Sequence, residues 1–176
     1  MAASKELAQR ILNVAELHGE FLLRSGATSD TYFDKYQFES DPSILKDIAA
    51  GMAEMIPEGT QMLGALEMGG IPIATMISQM TGLPVLFVRK KAKEYGTCKF
   101  AEGPDPNGKN LLIIEDVVTS GGQIIISTKD LRDLGAKVDT ALCVINREAG
   151  GEKKLAAEGI ALRALYTRSN LEALRG

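Results

Sequence analysis

The chain has 176 residues, with Lys+Arg 20 against Asp+Glu 23, a formal net charge of -3, one His, two Cys and no Trp. So few Cys and His residues argue against a Cys/His zinc cluster, and a Ser/His/Asp triad would have to use His18. With 45% hydrophobic and 24% charged residues the chain suits one globular domain, too apolar for disorder and too interrupted for a membrane span.

Residues 1–10 carry no apolar signal-peptide core, so the expected compartment is the cytosol, with Cys98 and Cys143 as free thiols. Residues 4–18 place Leu7, Ile11, Val14 and Leu17 at helical spacing, with Ser4 as N-cap and Gly19 beyond the end. This predicts an amphipathic helix with His18 solvated in its last turn. Residues 21–24 and 31–38 read as extended, separated by the turn signal Ser25-Gly26. Asp41-Pro42 supplies an N-cap and a first-turn proline, and Ile44, Ile48, Met52 and Met55 continue one helical face to Pro57.

From there the pattern becomes regular. A strand over 62–67, a turn at Gly69-Gly70, a helix over 71–80 and a strand over 84–89 lead into residues 90–110, which contain Gly and Pro and no hydrophobic period. A loop of about twenty residues is longer than a compact domain carries without a functional reason. A strand over 111–115, a helix over 123–134 closed by Gly135, a strand over 138–146, a helix near 152–158 and a strand over 160–166 complete the series. Strands apolar on both faces, alternating with helices, predict an α/β fold in which a doubly wound parallel sheet is covered on both sides. The Met residues from Met52 to Met80 stand at core spacing and read as adaptable packing.

The most informative stretch is Leu111-Leu112-Ile113-Ile114-Glu115-Asp116-Val117-Val118-Thr119-Ser120-Gly121-Gly122-Gln123. A buried parallel strand would deliver two adjacent carboxylates to its carboxyl end, where ligands bind in open α/β sheets. The small-residue turn that follows opens into a helix. Its backbone N–H groups, with the Thr119 and Ser120 hydroxyls, can hold a phosphate on the helix N-terminus. The carboxylates would repel that phosphate, so they suit sugar hydroxyls or a metal-bound polyphosphate better. The segment Gly103 to Asn110 nearly spells a P-loop, but it lacks the final Ser/Thr, contains two prolines and precedes a strand.

The stretch 111–123 resembles the phosphoribosyl pyrophosphate (PRPP) signature of the type I phosphoribosyltransferases, at every defining position. The resemblance implies that family's fold: a mostly parallel sheet flanked by helices, with a small N-terminal hood and a long mobile loop. It gives one domain over 1–176, comprising a base-binding hood over 1–40, a core over 41–166 and a catalytic loop over 89–110. Glu115 and Asp116 would contact the ribose hydroxyls, and residues Val117, Val118, Thr119, Ser120, Gly121, Gly122 and Gln123 would hold the 5-phosphate.

Three further blocks are similar to the orotate phosphoribosyltransferases. Residues 87–96 match the family's mobile catalytic loop, residues 21–26 with 31–34 its N-terminal orotate segment, and residues 144–151 its strand-end Arg before a glycine turn. The resemblance implies Mg2+-dependent transfer of the phosphoribosyl group from PRPP to orotate, giving orotidine 5-phosphate and pyrophosphate in UMP synthesis. It implies Lys93 as the catalytic lysine, with Arg89, Lys90 and Tyr95 beside it, and orotate held by Thr119, Arg147, Arg24, Tyr32 and Phe33. A planar Arg fork suits the orotate carboxylate. Met68, Gly69 and Gly70 would form the pyrophosphate loop. The Mg2+ would be held by PRPP and not directly by protein, reaching Asp116 at most through water. A homodimer with shared active sites is implied, with no nucleic acid and no membrane as partner.

Three positions depart from that pattern. Tyr95 stands where many members have His, Arg24 replaces a frequent Lys, and Gly69 stands where another branch carries a pyrophosphate-binding Lys before Gly-Ile-Pro. Backbone N–H groups near Gly69-Gly70 are the expected substitute. The alternatives are a phosphoribosyltransferase for a purine or uracil, whose bases lack the carboxylate, and an RNA-binding regulator on the same fold. The second needs a basic surface. The acidic balance conceals one basic segment, in which Arg89, Lys90, Lys91, Lys93 and Lys99 face the single acid Glu94.

Overall fold

The aliphatic runs of the sequence form the middle of a six-stranded sheet. The structure is a computed structural model that describes residues 4–22, 26, 28–91 and 99–174. In chain order the elements are α1 (Lys5–Ala15), β1 (Glu16–Leu22), β2 (Thr28–Phe33), α2 (Lys35–Ser40), α3 (Pro42–Ala53), β3 (Met62–Leu66), α4 (Gly70–Thr81), β4 (Val85–Val88), β5 (Ala101–Glu102), β6 (Asn110–Val118), α5 (Gly122–Asp133), β7 (Lys137–Asn146), α6 (Gly151–Ala157), β8 (Ala161–Thr167) and α7 (Arg168–Glu172).

The sheet order is β5-β4-β3-β6-β7-β8, and every neighbouring pair is parallel except β4 with β5. Alternate residues of its strands feed two separate cores. Leu63, Ala65, Leu112, Ile114, Leu142 and Val144 pack with α1, α3 and α4 on one face. Met62, Leu66, Leu111, Ile113, Ala141 and Cys143 pack with Ile124, Leu131 and Leu155 on the other. Burial on both faces explains why these strands are apolar throughout. This is the doubly wound α/β architecture that the sequence predicts.

Several local expectations differ from the fold. The first helix ends at Ala15, not at residue 18, because Glu16 turns extended and the chain pairs antiparallel with β2, Leu17 opposite Tyr32 and His18 opposite Thr31. His18 is therefore an exposed strand residue and not a helix-end residue. The extended reading of 31–38 holds only to Phe33. Asp34 then caps a helix, its carboxylate accepting from the Tyr36 N–H at 3.1 Å, and Phe38 turns into the core with 0% exposure. Truncating a ring buried so deeply costs about 3–5 kcal/mol. Phe38 thereby fixes the orientation of α2. Residues 90–110 are not wholly irregular, since Ala101 and Glu102 pair antiparallel with β4 and Arg89 N–H donates to the Phe100 carbonyl at 3.0 Å. The short α7, which the periodicity does not predict, is nucleated by a Thr167/Asn170 capping box.

Candidate active site

β3 and β6 are adjacent and parallel, with Ala65 opposite Ile114. From β3 the chain runs through α4 to β4 on one side, and from β6 through α5 to β7 on the other. The strand order thus reverses between them. A crevice opens there at the carboxyl ends, which is where such sheets bind ligands. At its floor Gly69, on the turn that leaves β3, packs directly against Asp116 of β6. The Glu67–Met68 peptide bond is cis.

The phosphate turn sits beside this crevice. Glu115, Val117, Val118, Thr119, Ser120, Gly121, Gly122, Gln123 and Ile124 line a hollow of about 160 Å3. Gly121 is the N-cap of α5 at φ 72 and offers no side chain to the helix end. The first N–H groups of α5 are therefore not capped by it, a ready anion seat. A Cβ at Gly121 would lie 3.1 Å from Leu155 Cγ, and one at Gly151 would lie 2.6 Å from the Thr119 carbonyl oxygen. The start of α6 therefore backs directly onto the turn and fixes its shape.

Asp116 is buried and Glu115 is partly so. Asp116 is 1% exposed, and its carboxylate pairs with the Lys35 ammonium while also accepting from the N–H of Val117. Burial alone would lower the Lys35 pKa, but the hydrogen bond and charge of Asp116 outweigh it and hold it raised. Burial, reinforced by the Asp116 charge, keeps the Glu115 carboxyl well above the usual carboxylate range. A third carboxyl, Glu39 on α2, is 7% exposed, and its Oε1 is buried without a donor. Burial first, and then Asp116, push Glu39 up to about 8. A proton on Glu39 removes the conflict between two facing acceptors. The same burial, with Glu115 nearby, raises the Cys143 thiol and leaves it inert.

A second cavity, of about 400 Å3, lies at the carboxyl ends of β7 and β8 under the β1–β2 hairpin. It brings together three of the expected base-binding residues, Tyr32, Phe33 and Arg147, and adds Arg168, which sequence reasoning does not pick out. The Arg147 N–H donates to the Val118 carbonyl at 2.8 Å, so this cavity is tied to the strand that delivers the phosphate turn. Glu148, at φ 54, accepts from the Ser169 N–H at 2.8 Å and hydroxyl at 2.6 Å, which anchors the start of α7 and with it Arg168. Thr119 lines the phosphate hollow but not this cavity.

The described residues of the basic segment, Arg89, Lys90, Lys91 and Lys99, line neither cavity. Lys90, with Lys91 and Lys99, borders a separate groove of about 640 Å3 beside Asp130 and Asp133 of α5. The Arg89 Nε is buried with no partner among the described residues. Arg24, Lys93 and Tyr95 lie outside the described residues. Met68 is exposed and Gly69 and Gly70 are buried at the crevice. Sequence reasoning passes over Lys35 and Glu39, although their spacing of one helical turn was a usable signal. Among the described residues no group of three or more His, Cys, Asp and Glu could hold a metal ion, and no helix is long and apolar enough to cross a membrane.

Comparison with known proteins agrees with this geometry. The phosphoribosyl transferase domain model matches residues 37–160. The chain is 50% identical over 175 residues to an orotate phosphoribosyltransferase of Nocardioides sp., covering 99% of this chain and 98% of that one. The solved orotate phosphoribosyltransferase of Mycobacterium tuberculosis, in complex with Fe(III) dicitrate, superimposes with a TM-score of 0.85 at 28% identity, over 94% of this chain and 97% of that one. The same enzyme in complex with 5-phospho-alpha-D-ribosyl 1-diphosphate gives a TM-score of 0.81 at 25% identity, over 95% and 97% of the two chains. The chain belongs to the phosphoribosyltransferase family and, within it, to the orotate phosphoribosyltransferases.

Proposed function

We propose that the chain transfers the phosphoribosyl group of PRPP to orotate, releasing pyrophosphate and forming orotidine 5-phosphate for UMP synthesis. The observation that carries this reading is the hydrogen bond from Arg147 N–H to the Val118 carbonyl at 2.8 Å. It joins a cavity holding arginines and aromatic side chains to the phosphate turn. A carboxylate-bearing planar base in the first and a 5-phosphate in the second would place the anomeric carbon between them.

In this reading residues 117–123 hold the 5-phosphate, Glu115 and Asp116 meet the ribose hydroxyls, and Met68, Gly69 and Gly70 face the pyrophosphate. Arg147 grips the orotate carboxylate, with Arg24, Thr119, Tyr32 and Phe33 around the ring. The ring nitrogen, its proton given to solvent before the site closes, forms the bond to the anomeric carbon as the bond to pyrophosphate breaks. Positive charge grows at that carbon and negative charge on the leaving group. Lys93, with Arg89, Lys90 and Tyr95, closes over the pyrophosphate and stabilises that charge in a site freed of water. The carboxyls here fit a metal carried by the substrate and not one held by protein: Asp116 is already committed to Lys35 and Val117, which leaves room for contact through water. Mg2+ bound on PRPP would supply further charge neutralisation to the departing pyrophosphate.

Lys90 borders a groove away from its own chain's phosphate hollow. This supports a loop that serves the neighbouring subunit, and hence a cytosolic homodimer with shared sites. The test is pyrophosphate release with orotate, uracil, hypoxanthine and adenine in turn, with Mg2+ varied. Orotate-dependent release that requires Mg2+ is expected; turnover of a purine with none of orotate overturns the assignment.

A further inference from the structure

We propose that Lys35 is a positioning residue of the sugar-phosphate site: from α2 it holds the Asp116 carboxylate fixed at the crevice, supplying a cation that position 69 has no room to carry. The proposal rests on the reading of Asp116 as an acceptor for ribose hydroxyls.

Asp116 is 1% exposed and stands beside two further carboxyls, Glu115 and Glu39, so its orientation depends on the donors packed around it. A carboxylate that turned would aim its lone pairs away from a sugar hydroxyl. Lys35 prevents this. Its ammonium takes Oδ2, and the Val117 N–H takes Oδ1, so the carboxylate plane is held at both ends.

The turn opposite is built around that arrangement. A Cβ at Gly69 would fall on Asp116 Oδ2, the oxygen that Lys35 holds, and within 2.7 Å of Glu39 Oε1. No side chain fits there, lysine included, while Asp116 keeps this orientation. The cation comes instead from α2, where Lys35 and Glu39 lie one helical turn apart and close on Asp116 together. Backbone N–H groups of the turn, expected to replace the missing lysine, would act beside Lys35 and not in its stead.

The test is calorimetric titration of PRPP with Mg2+ into the protein without orotate, alongside steady-state kinetics. Lys35→Met is expected to weaken PRPP about tenfold or more, the scale of a charge-assisted hydrogen bond, with KM for orotate unchanged. Lys35→Arg should recover most of that affinity. Gly69→Ala, which displaces Asp116 Oδ2 and leaves Lys35 intact, should give the same selective loss. Should Lys35→Met leave the protein unstable, Asp116→Asn is compared with Asp116→Asn/Lys35→Met, in which no buried charge is stranded; equal PRPP affinity is expected. Unchanged PRPP affinity in Lys35→Met, or a further loss when it is added to Asp116→Asn, overturns the proposal. Tight PRPP binding by the unaltered protein with no orotate turnover would instead remove the base assignment and leave the role of Lys35 standing.

Discussion

The backbone N–H of Lys90 donates to Glu67 Oε1 at 2.7 Å, so the chain leaving β4 is tied to the turn leaving β3. Glu67 N–H in turn donates to the Val88 carbonyl at 2.9 Å. One residue therefore sets the start of the segment after β4 relative to the turn at 67–69. Glu67→Ala should lower kcat about ten- to a hundredfold, the effect expected of losing one hydrogen bond to a charged acceptor. The fold should be unaffected by circular dichroism. Glu67→Gln keeps an acceptor and should recover most of the rate. A Glu67→Ala protein with unaltered kcat would separate the two turns functionally.

Gly150 and Gly151 predict opposite outcomes from the same substitution. A Cβ at Gly151 would lie 2.6 Å from the Thr119 carbonyl and 3.2 Å from the Gly121 nitrogen, both part of the phosphate turn. Gly150 sits at φ 82 with nothing within 4 Å of its missing Cβ. Gly151→Ala should displace the turn and raise KM for PRPP by about ten- to a hundredfold, the scale of an ångström-level misplacement. Gly150→Ala should cost only about 1–2 kcal/mol of backbone strain, seen as a lower Tm with KM for PRPP unchanged. Equal KM values in the two variants would remove the coupling between α6 and the turn.

The strand–turn–helix unit over 111–123 is legible in the sequence because its parts are local: an aliphatic run, two acids, small residues and a helix in immediate succession. Its electrostatic setting is not. Lys35 reaches Asp116 across 81 residues of sequence, and nothing near 111–123 announces that the acids are buried and share one cation. The hairpin is misjudged for a related reason. Leu17 satisfies helical spacing, but pairing with Tyr32 on β2 gives it backbone partners that a lone helix end lacks. Arg168 escapes notice because it joins Arg147 only through the parallel pairing of β7 with β8, Asn146 opposite Thr167.

Glu39 gives the fold a dependence on pH that an exposed carboxylate would not. Its folded value, about 8, stands above the ordinary 4.5. Between those values the folded state holds a proton that the unfolded chain has released. Stability is therefore expected to fall as pH rises through this window, by up to about 1.4 kcal/mol for each unit traversed. Glu115, shifted the same way, adds to the trend. Glu39→Gln fixes the neutral form, so its Tm should change less between pH 5 and pH 9, scanned at about unit intervals, and exceed that of the unaltered protein at the alkaline end. Parallel Tm curves for the two proteins would show that Glu39 is ionised in the folded state.

The shared-site arrangement can be tested by mixing two inactive proteins. Lys93→Ala removes the loop lysine, and Asp116→Asn removes the acceptor held by Lys35. If the loop serves the neighbouring subunit, a mixed dimer has one site lacking both groups and one site with neither altered. Random exchange of subunits then restores about a quarter of the sites, as the symmetry of a two-fold dimer requires. Pyrophosphate release with orotate should rise toward that fraction of the normal rate as exchange proceeds. If the loop serves its own chain, every site keeps one lesion and the mixture stays inactive. Lack of recovery after exchange has been verified by differently tagged subunits therefore assigns the loop to its own active site.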